Sequence, residues 1–407
     1  MNYGRTMISI VRVAGFLSLA LFVGCASFEL PQRVLELPRE EGNPRNSEGD
    51  FVRLKDGRIL FVYTRYIGND SGDHASAYLA MRESSDGGRS WSDKDVTVVE
   101  KEGRMNVMSV SLLRLADSRI ALFYLVKNSP VDCVPVVRIS SDEAKTWSAP
   151  VRCIAPDNTD YYVLNNSRAV QLSDGRVILP VCRHTYTTQG GGDAWDGKGT
   201  IATLISDDGC KTWRFGRESF KTFSPSGKAR VTTQEPGIVE LKDSRLMMWM
   251  RTAENMQYVC YSDDRGETWT KAVAWNLNSP NSPATVKRLE NGDLLAIWND
   301  HGAHSQYKDP QVVAECYRRF LVWSNGQRTP LTLAVSKDEG RTWIKRRDLE
   351  GNPNGWLCYI ACLEVDGALL LGYCAEDNLS HSRITRVPLS WLYGSARDDD
   401  LGGFFRD

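Results

Sequence analysis

Ser84-Ser-Asp-Gly-Gly-Arg-Ser-Trp91 returns four times along the chain, as Ser140-Ser-Asp-Glu-Ala-Lys-Thr-Trp147, Ser206-Asp-Asp-Gly-Cys-Lys-Thr-Trp213, Ser262-Asp-Asp-Arg-Gly-Glu-Thr-Trp269 and Ser336-Lys-Asp-Glu-Gly-Arg-Thr-Trp343. The shared element is Ser-x-Asp-x-x-x-Ser/Thr-Trp, with its aspartates 56, 66, 56 and 74 residues apart. Such a string suits a tight turn between two strands. The Asp carboxylate accepts from backbone N–H groups, glycine permits φ > 0, and the Trp covers the junction. Ala144 and Cys210 stand where the other three copies have glycine, which predicts strain in those two turns.

A second repeat interleaves with the first. Apolar runs flank the turns Lys55-Asp-Gly-Arg58, Ala116-Asp-Ser-Arg119, Ser173-Asp-Gly-Arg176, Lys242-Asp-Ser-Arg245, Glu290-Asn-Gly-Asp293 and Val365-Asp-Gly-Ala368. A hairpin, a loop and a second hairpin closed by the octapeptide make a four-stranded unit of roughly 60 residues, and units repeated around an axis make a propeller. The expectation is an all-β, six-bladed β-propeller of four-stranded antiparallel blades. The sixth unit lacks the octapeptide, so its outer strand is expected from the N-terminal segment near Phe28 to Leu37.

Composition agrees with one large β domain over residues 26–407. Apolar residues at 42% and charged residues at 25% exclude a disordered or collagen-like chain. The 50 Lys and Arg against 51 Asp and Glu leave a net charge of −1, giving no electrostatic case for nucleic acid. Before the domain, Arg5 and Arg12 precede an apolar run from Val13 to Gly24, the charged-then-apolar order of an export signal over residues 1–25. Its end, Gly24-Cys25-Ala26-Ser27, resembles a bacterial lipoprotein signal in which Cys25 carries the lipid. The expected location is the periplasm or cell surface, or alternatively the medium after ordinary cleavage, with membrane contact only through that anchor. The remaining cysteines are scattered and mostly lie in apolar runs, against a disulfide scaffold, and the five histidines form no metal-ligand cluster. No cofactor or metal is expected.

Counting from the turns predicts which side chains meet. Both hairpin turns of a unit lie on one face of the ring, so the far strand ends share the other mouth. Glu235 and Arg251 are each eight residues from Asp243 and should stand side by side. Arg328 and Asp73 fall at the heads of third strands, Tyr359 and Arg45 at the heads of inner strands. Three arginines converging with fewer acids call for an anionic ligand held by bidentate hydrogen bonds, such as a carboxylate. Beside that ligand a neutral Tyr approaches more easily than a carboxylate nucleophile. With a phenol pKa of about 10 it needs a neighbouring base such as Glu235 and the arginine field. Asp73 is then placed to protonate the leaving oxygen and activate water.

These features resemble the sialidase (neuraminidase) superfamily, whose Asp-boxes the octapeptides match. Gln234-Glu-Pro-Gly-Ile-Val-Glu-Leu241 with Arg251 is similar to the strand of the general-base Glu and a carboxylate-binding Arg, and Ser324-Asn-Gly-Gln-Arg-Thr-Pro-Leu-Thr-Leu333 to the segment supplying another, Arg328. Cys358-Tyr-Ile-Ala-Cys362 resembles the nucleophile strand and Gly72-Asp-His-Ala-Ser-Ala-Tyr-Leu79 the acid/base segment, giving Tyr359 and Asp73. The resemblance implies retaining exo-α-sialidase activity on sialylated or other acidic glycans through a Tyr adduct. One segment departs from it. Where the family has Arg-Ile-Pro, this chain reads Asn43-Pro-Arg-Asn-Ser-Glu-Gly-Asp50, and ungapped counting lands on Ser47 with Glu48 next. Arg45 takes the role if the preceding loop is two residues longer. If Glu48 faces the pocket, the substrate departs from an ordinary sialic acid. Arg183, His184, Asn299 and Asp300, just past second-strand ends, are candidate contacts to the rest of the sugar. A different glycosidase or lyase for a carboxylated sugar, and a glycan-binding propeller without turnover, are the alternatives.

Overall fold

The computed structural model describes Met1 and residues 29–189, 192–195, 197–224, 226–301, 328–352, 355–376 and 380–394. Cys25 and the expected export signal lie outside the described residues. The fold is an all-β propeller. Four sheets are separate four-stranded antiparallel blades. The first holds Asn46–Arg53, Ile59–Tyr66, Ala77–Ser84 and Val96–Val99. Another holds Thr233–Glu240, Leu246–Thr252, Met256–Ser262 and Val273–Asn278. The next holds Thr285–Arg288, Leu294–Asn299, Leu331–Ser336 and Ile344–Glu350.

The last blade runs Cys358–Val365, Ala368–Ala375, His381–Pro388 and then Gln32–Leu37, which pairs antiparallel with His381–Pro388. The N-terminal segment thus supplies the outer strand of the C-terminal sheet, tying the two ends of the chain together. Arg383 reaches Glu36 at 2.7 Å across that closure, and Arg33 reaches Glu350 of the preceding blade at 3.1 Å.

The expectation of six separate four-stranded blades is corrected by the middle of the chain, where nine strands form one sheet. Its antiparallel runs, Asn106–Arg114 to Val151–Arg152 and Val170–Gln171 to Arg214–Phe215, are joined by Tyr161–Val163. That three-residue strand is parallel to Asp132–Ser140 and antiparallel to Val177–His184. The sequence count missed it because Tyr161–Val163 lies in a connection and carries no turn signature.

The five octapeptides are built alike. In the first, Asp86 Oδ1 accepts from the N–H groups of Arg89 and Ser90 at 2.9 Å, and Oδ2 accepts from Ser90 Oγ at 2.6 Å. Ser84 Oγ accepts from Gly88 N at 2.9 Å. Asp142, Asp208, Asp264 and Asp338 repeat the pattern with Thr146, Thr212, Thr268 and Thr342. The tryptophans then turn into apolar layers between sheets. Trp91 joins Phe51 and Phe61, which meet Leu370 and Ile384 of the last blade. Trp213 stands edge-on to Phe123 at 5.9 Å, and Trp343 to Trp275 at 5.7 Å. These layers hold each sheet against the next and so fix the radius at which the innermost strands meet. The first strands of the first blade, of the last blade and of the blade before it, and of the blade beginning at Thr233, contact one another in turn around the axis, and Asn106–Arg114 contacts that of the first blade. The mouth they leave, on the face opposite the turns, is where the polar side chains gather.

Candidate active site

Four inner strands break their ladders at the same height. Register shifts fall between Ser47 and Asp50, Met108 and Ser111, Gln234 and Gly237, and Cys358 and Ala361. At each bulge one non-glycine residue has a left-handed backbone: Glu48 (φ 56°), Ser109 (60°), Glu235 (48°) and Tyr359 (59°). That conformation costs about 1–2 kcal/mol for an L-residue, and strain of this kind clusters where side chains must be aimed. All four line one cavity of about 300 Å³ at the mouth of the ring. Gly237 permits the bulge under Glu235, because a Cβ there would lie 2.2 Å from the Trp249 ring.

Glu235 is the hub. Its Oε1 accepts from the Tyr359 hydroxyl at 3.2 Å and its Oε2 from Arg251 Nη1 at 2.8 Å, while Arg251 Nε donates to Asn281 Oδ1 at 2.7 Å. Glu235 and Arg251 stand side by side, as the turn count required. Burial and the charge of Glu235 push the Tyr359 phenol well above its usual range, against the pull of Arg328 and Arg251. The free phenol is therefore protonated, with an acceptor in reach. Arg328 is buried, stacked 4.7 Å from the Trp356 ring and 5.4 Å from the Tyr359 ring. Its Nη1 donates to Cys358 Sγ at 3.1 Å, and that thiol, although burial raises it, is drawn down to about 7 by Cys374 and by the Arg328 charge. Among the described residues no carboxylate forms an ion pair with Arg328 and its buried Nε has no hydrogen-bond partner, so an anionic group fits there.

Asp73 and Glu48 occupy the other side. Asp73 Oδ1 accepts from Arg45 Nη1 at 2.6 Å, and its main-chain carbonyl accepts from Lys127 Nζ at 2.7 Å. The side chain is 60% exposed, and although desolvation at the mouth raises its carboxyl, Arg45 and Lys127 hold it well below the usual carboxylate range. Glu48 is buried, accepts from Ser109 Oγ at 3.3 Å, and keeps 3.6 Å from Arg45 Nη2. Burial pushes it up to about 7, with Arg45 opposing and the nearby Asp73 and Glu235 charges adding.

The structure therefore brings together Tyr359, Glu235, Asp73, Arg251, Arg328 and His184 around one cavity. Arg45 is not on its wall. The longer loop sets it behind Glu48 and Asp73, bonded to Ser47 Oγ at 3.0 Å and to the Ser71 carbonyl at 3.3 Å. The expected cup of three arginines is thus two arginines and Lys127 facing Glu48, Asp73 and Glu235. Three rim residues lie elsewhere. Arg183 is adjacent to His184 on one strand, so the two side chains take opposite faces and Arg183 pairs with Asp160 at the surface, 3.2 Å away. Asn299 is buried in a brace to Pro330, Leu357 and Ser282, and Asp300 is held by Arg346 at 3.0 Å. Sequence reasoning missed Ser109, Lys127, Tyr161 and Trp356. Ser109 was readable: Glu48, Ser109 and Glu235 each stand eight residues before a turn aspartate, and Tyr359 seven.

The model of the BNR repeat-like domain matches residues 95–372, more than half of the chain. The chain belongs to this family. A sialidase of Bacteroides fragilis (strain YCH46) is 25% identical over 271 residues, 62% of this chain and 41% of its own length. One of Paraclostridium sordellii is 24% identical over 242 residues, 53% of this chain and 55% of its own. The BNR-repeat protein thus spans about half the length of these curated relatives or less. Among solved structures, a Hadza microbial sialidase superposes with a TM-score of 0.63 at 16% identity, covering 86% of this chain and 66% of that one. Trypanosoma rangeli sialidase gives 0.61 at 16%, covering 88% and 59%. A Dyadobacter fermentans protein of unknown function gives 0.62 at 16%, covering 88% and 99%. The shared property at such identities is the fold, that of the sialidase and BNR-repeat propeller superfamily.

Proposed function

We propose that this BNR-repeat protein is a retaining exo-α-sialidase, releasing a terminal sialic-acid-type sugar from a glycan. The observation that carries the reading is the relay Tyr359–Glu235–Arg251 beside Arg328: a phenol with its base in hydrogen-bond reach, next to a cation suited to the substrate carboxylate. Glu235 takes the phenol proton as Tyr359 attacks the anomeric carbon, and water then releases the adduct, so configuration is retained through two displacements. The sugar carboxylate, drawn to Arg328 and Arg251, disfavours a carboxylate nucleophile at that point and makes the phenol the better choice. The resemblance gives proton transfer to the leaving oxygen to Asp73. The test is hydrolysis of a fluorogenic sialoside by the mature chain beside Tyr359→Phe, with product configuration followed by NMR. A retained α-product lost in the variant supports the reading; binding without product turns it into a glycan-binding propeller.

A second reading, a hydrolase for another carboxylated sugar, is favoured by Glu48 on the wall in place of a third arginine. Untouched sialosides with cleaved uronic-acid glycans would select it. Two finer points belong to the same proposal. The nine-stranded sheet is read as two fused units, which makes six around the ring. Residues 1–25 are read as an export signal with a lipid on Cys25, checked by whether labelled lipid incorporation is lost in Cys25→Ser.

A further inference from the structure

Building on the glycosidase reading of this cavity, we propose that Glu48, not Asp73, is the acid/base that protonates the departing oxygen and deprotonates the incoming water. Two pieces of geometry carry the assignment. Asp73, its side chain 60% exposed, is paired with the buried guanidinium of Arg45 at 2.6 Å, with Lys127 Nζ on its own carbonyl, and protonating it would give up the charge that this pairing stabilises. Glu48 is buried at the cavity wall on the inner strand next to that of Tyr359 and at the equivalent bulge, and its contact with Arg45 Nη2, at 3.6 Å, is a full ångström longer than that of Asp73 with Nη1.

The charged and titratable groups about Glu48 are Arg45 on its own segment, Asp73 and His74 from the following loop, Lys127 from the next unit, Glu235 across the ring and Tyr359 beside it. Among the described residues the one cation within ion-pair distance of Glu48 is Arg45, through Nη2 at 3.6 Å, and that nitrogen makes no hydrogen bond. Arg45 makes its hydrogen bonds to Ser47, Ser71 and Asp73, and Lys127 donates to the Asp73 carbonyl over the Tyr161 ring. Two carboxylates, Asp73 and Glu235, then face Glu48, and a third negative charge in the same space is costly. The resulting pKa of about 7 lies near the working pH of a neutral enzyme, where a general acid is most effective, whereas Asp73 is held far below it. This division follows from the departure in sequence: moving the arginine two residues upstream of the ungapped position both ties it to Asp73 and leaves Glu48 at the bulge.

In the first step the Tyr359 oxygen bonds to the anomeric carbon, the bond from that carbon to the leaving oxygen breaks, the phenol proton passes to Glu235, and the Glu48 proton passes to the leaving oxygen. In the second, water adds to the anomeric carbon, one water proton returns to Glu48, the bond to Tyr359 breaks, and Glu235 returns its proton to the phenol. The sum is glycoside plus water giving sugar plus alcohol.

The experiment compares two glycosides of the same carboxylated sugar: an aryl one whose leaving group needs no proton, and an alkyl one that does. Glu48→Gln is expected to lower alkyl kcat/KM by about 10²–10⁴-fold while aryl kcat/KM, which reports only the first step, stays within about tenfold, and to remove the alkaline limb of kcat/KM. Asp73→Asn is expected to lower both substrates alike. Retained aryl turnover reports that the variant folds. Should Glu48→Gln fail to fold, the wild type decides: an alkaline limb near pH 7 on the alkyl substrate only supports the assignment, and the same limb on both overturns it. Equal losses in kcat/KM on both substrates in folded Glu48→Gln, or a leaving-group split in Asp73→Asn, also overturn it. A wild type that cleaves no carboxylated glycoside defeats the hydrolase reading first, and this assignment with it.

Discussion

Tyr359 and Glu235 lie 124 residues apart in the chain and share a 3.2 Å hydrogen bond across the mouth of the ring. Neither would be informative alone, since a buried phenol bonded to a carboxylate is common in protein cores. The left-handed backbone at both positions is the less common feature, because it turns the two side chains off their ladders and toward each other. Tyr359→Phe is expected to remove at least about 10³-fold of turnover, and Glu235→Gln about 10²–10⁴-fold. Melting temperatures should move little in Tyr359→Phe, which deletes one hydroxyl, and more in Glu235→Gln, which keeps the shape but loses the ion pair with Arg251. A rate loss accompanied by gross unfolding would instead assign the pair to structure.

Arg328 has Trp356 and Tyr359 stacked on it and the Cys358 thiol as its hydrogen-bond partner. If a substrate carboxylate docks there, Arg328→Ala leaves that anion without its cation. The cost is expected at about 2 kcal/mol or more, a loss of roughly 30-fold in kcat/KM. Arg328→Lys keeps the charge but loses the planar fork, so it should recover only part of the loss. Kinetics on a carboxylated glycoside and on its methyl ester check this. The ester should respond weakly to both substitutions, and equal responses would remove the carboxylate from Arg328.

The five Asp-box turns offer an internal comparison. The glycine position has φ of 81° at Gly88, 87° at Gly266 and 81° at Gly340, and Ala144 and Cys210 adopt the same region at 63° and 72°. The left-handed penalty for Ala, about 1–2 kcal/mol, outweighs the extra chain entropy that glycine loses on folding. Ala144→Gly is expected to stabilise the protein by about 0.5–1 kcal/mol, read as a higher urea midpoint with an unchanged slope. Cys210→Gly should gain less, because the Cys210 side chain is buried in an apolar cluster that the substitution would hollow out.

Turn chemistry made much of this architecture legible. A serine, an aspartate and a hydroxyl two to four positions apart form a local hydrogen-bond unit, so the octapeptides declare themselves without any tertiary context. Counting outward from Asp243 then located Glu235 beside Arg251. What escaped was set by long-range packing. Lys127 reaches the cavity only because Asp73 offers its carbonyl there, and Tyr161 only because its three-residue strand bridges two runs of the central sheet. Arg45 was placed at the right strand head but at the wrong depth, since one-dimensional counting cannot distinguish a wall residue from one directly behind it. Asn299 and Arg183 failed for the matching reason: strand-end position does not say which face a side chain takes.

Glu48 and Asp73 give opposite pH signatures. Asp73 has its carboxyl held below the ordinary value, so the stability it contributes is present above about pH 3.8 and is lost in strong acid. Glu48, raised from 4.5 to about 7, binds its proton more tightly in the folded than in the unfolded chain. Its contribution is full below pH 4.5 and is lost as pH rises through 7, by about 3 kcal/mol at most. Glu48→Gln keeps the shape without the charge at any pH. Its melting temperature should therefore gain on the wild type by about 3 °C between pH 5 and pH 8, where the ionised Glu48 is the burden. Paired thermal melts in one buffer series measure the difference directly. A gap that stays flat across the window would mean that Glu48 titrates like an ordinary exposed glutamate, and that water and the cations about it solvate its charge within the cavity.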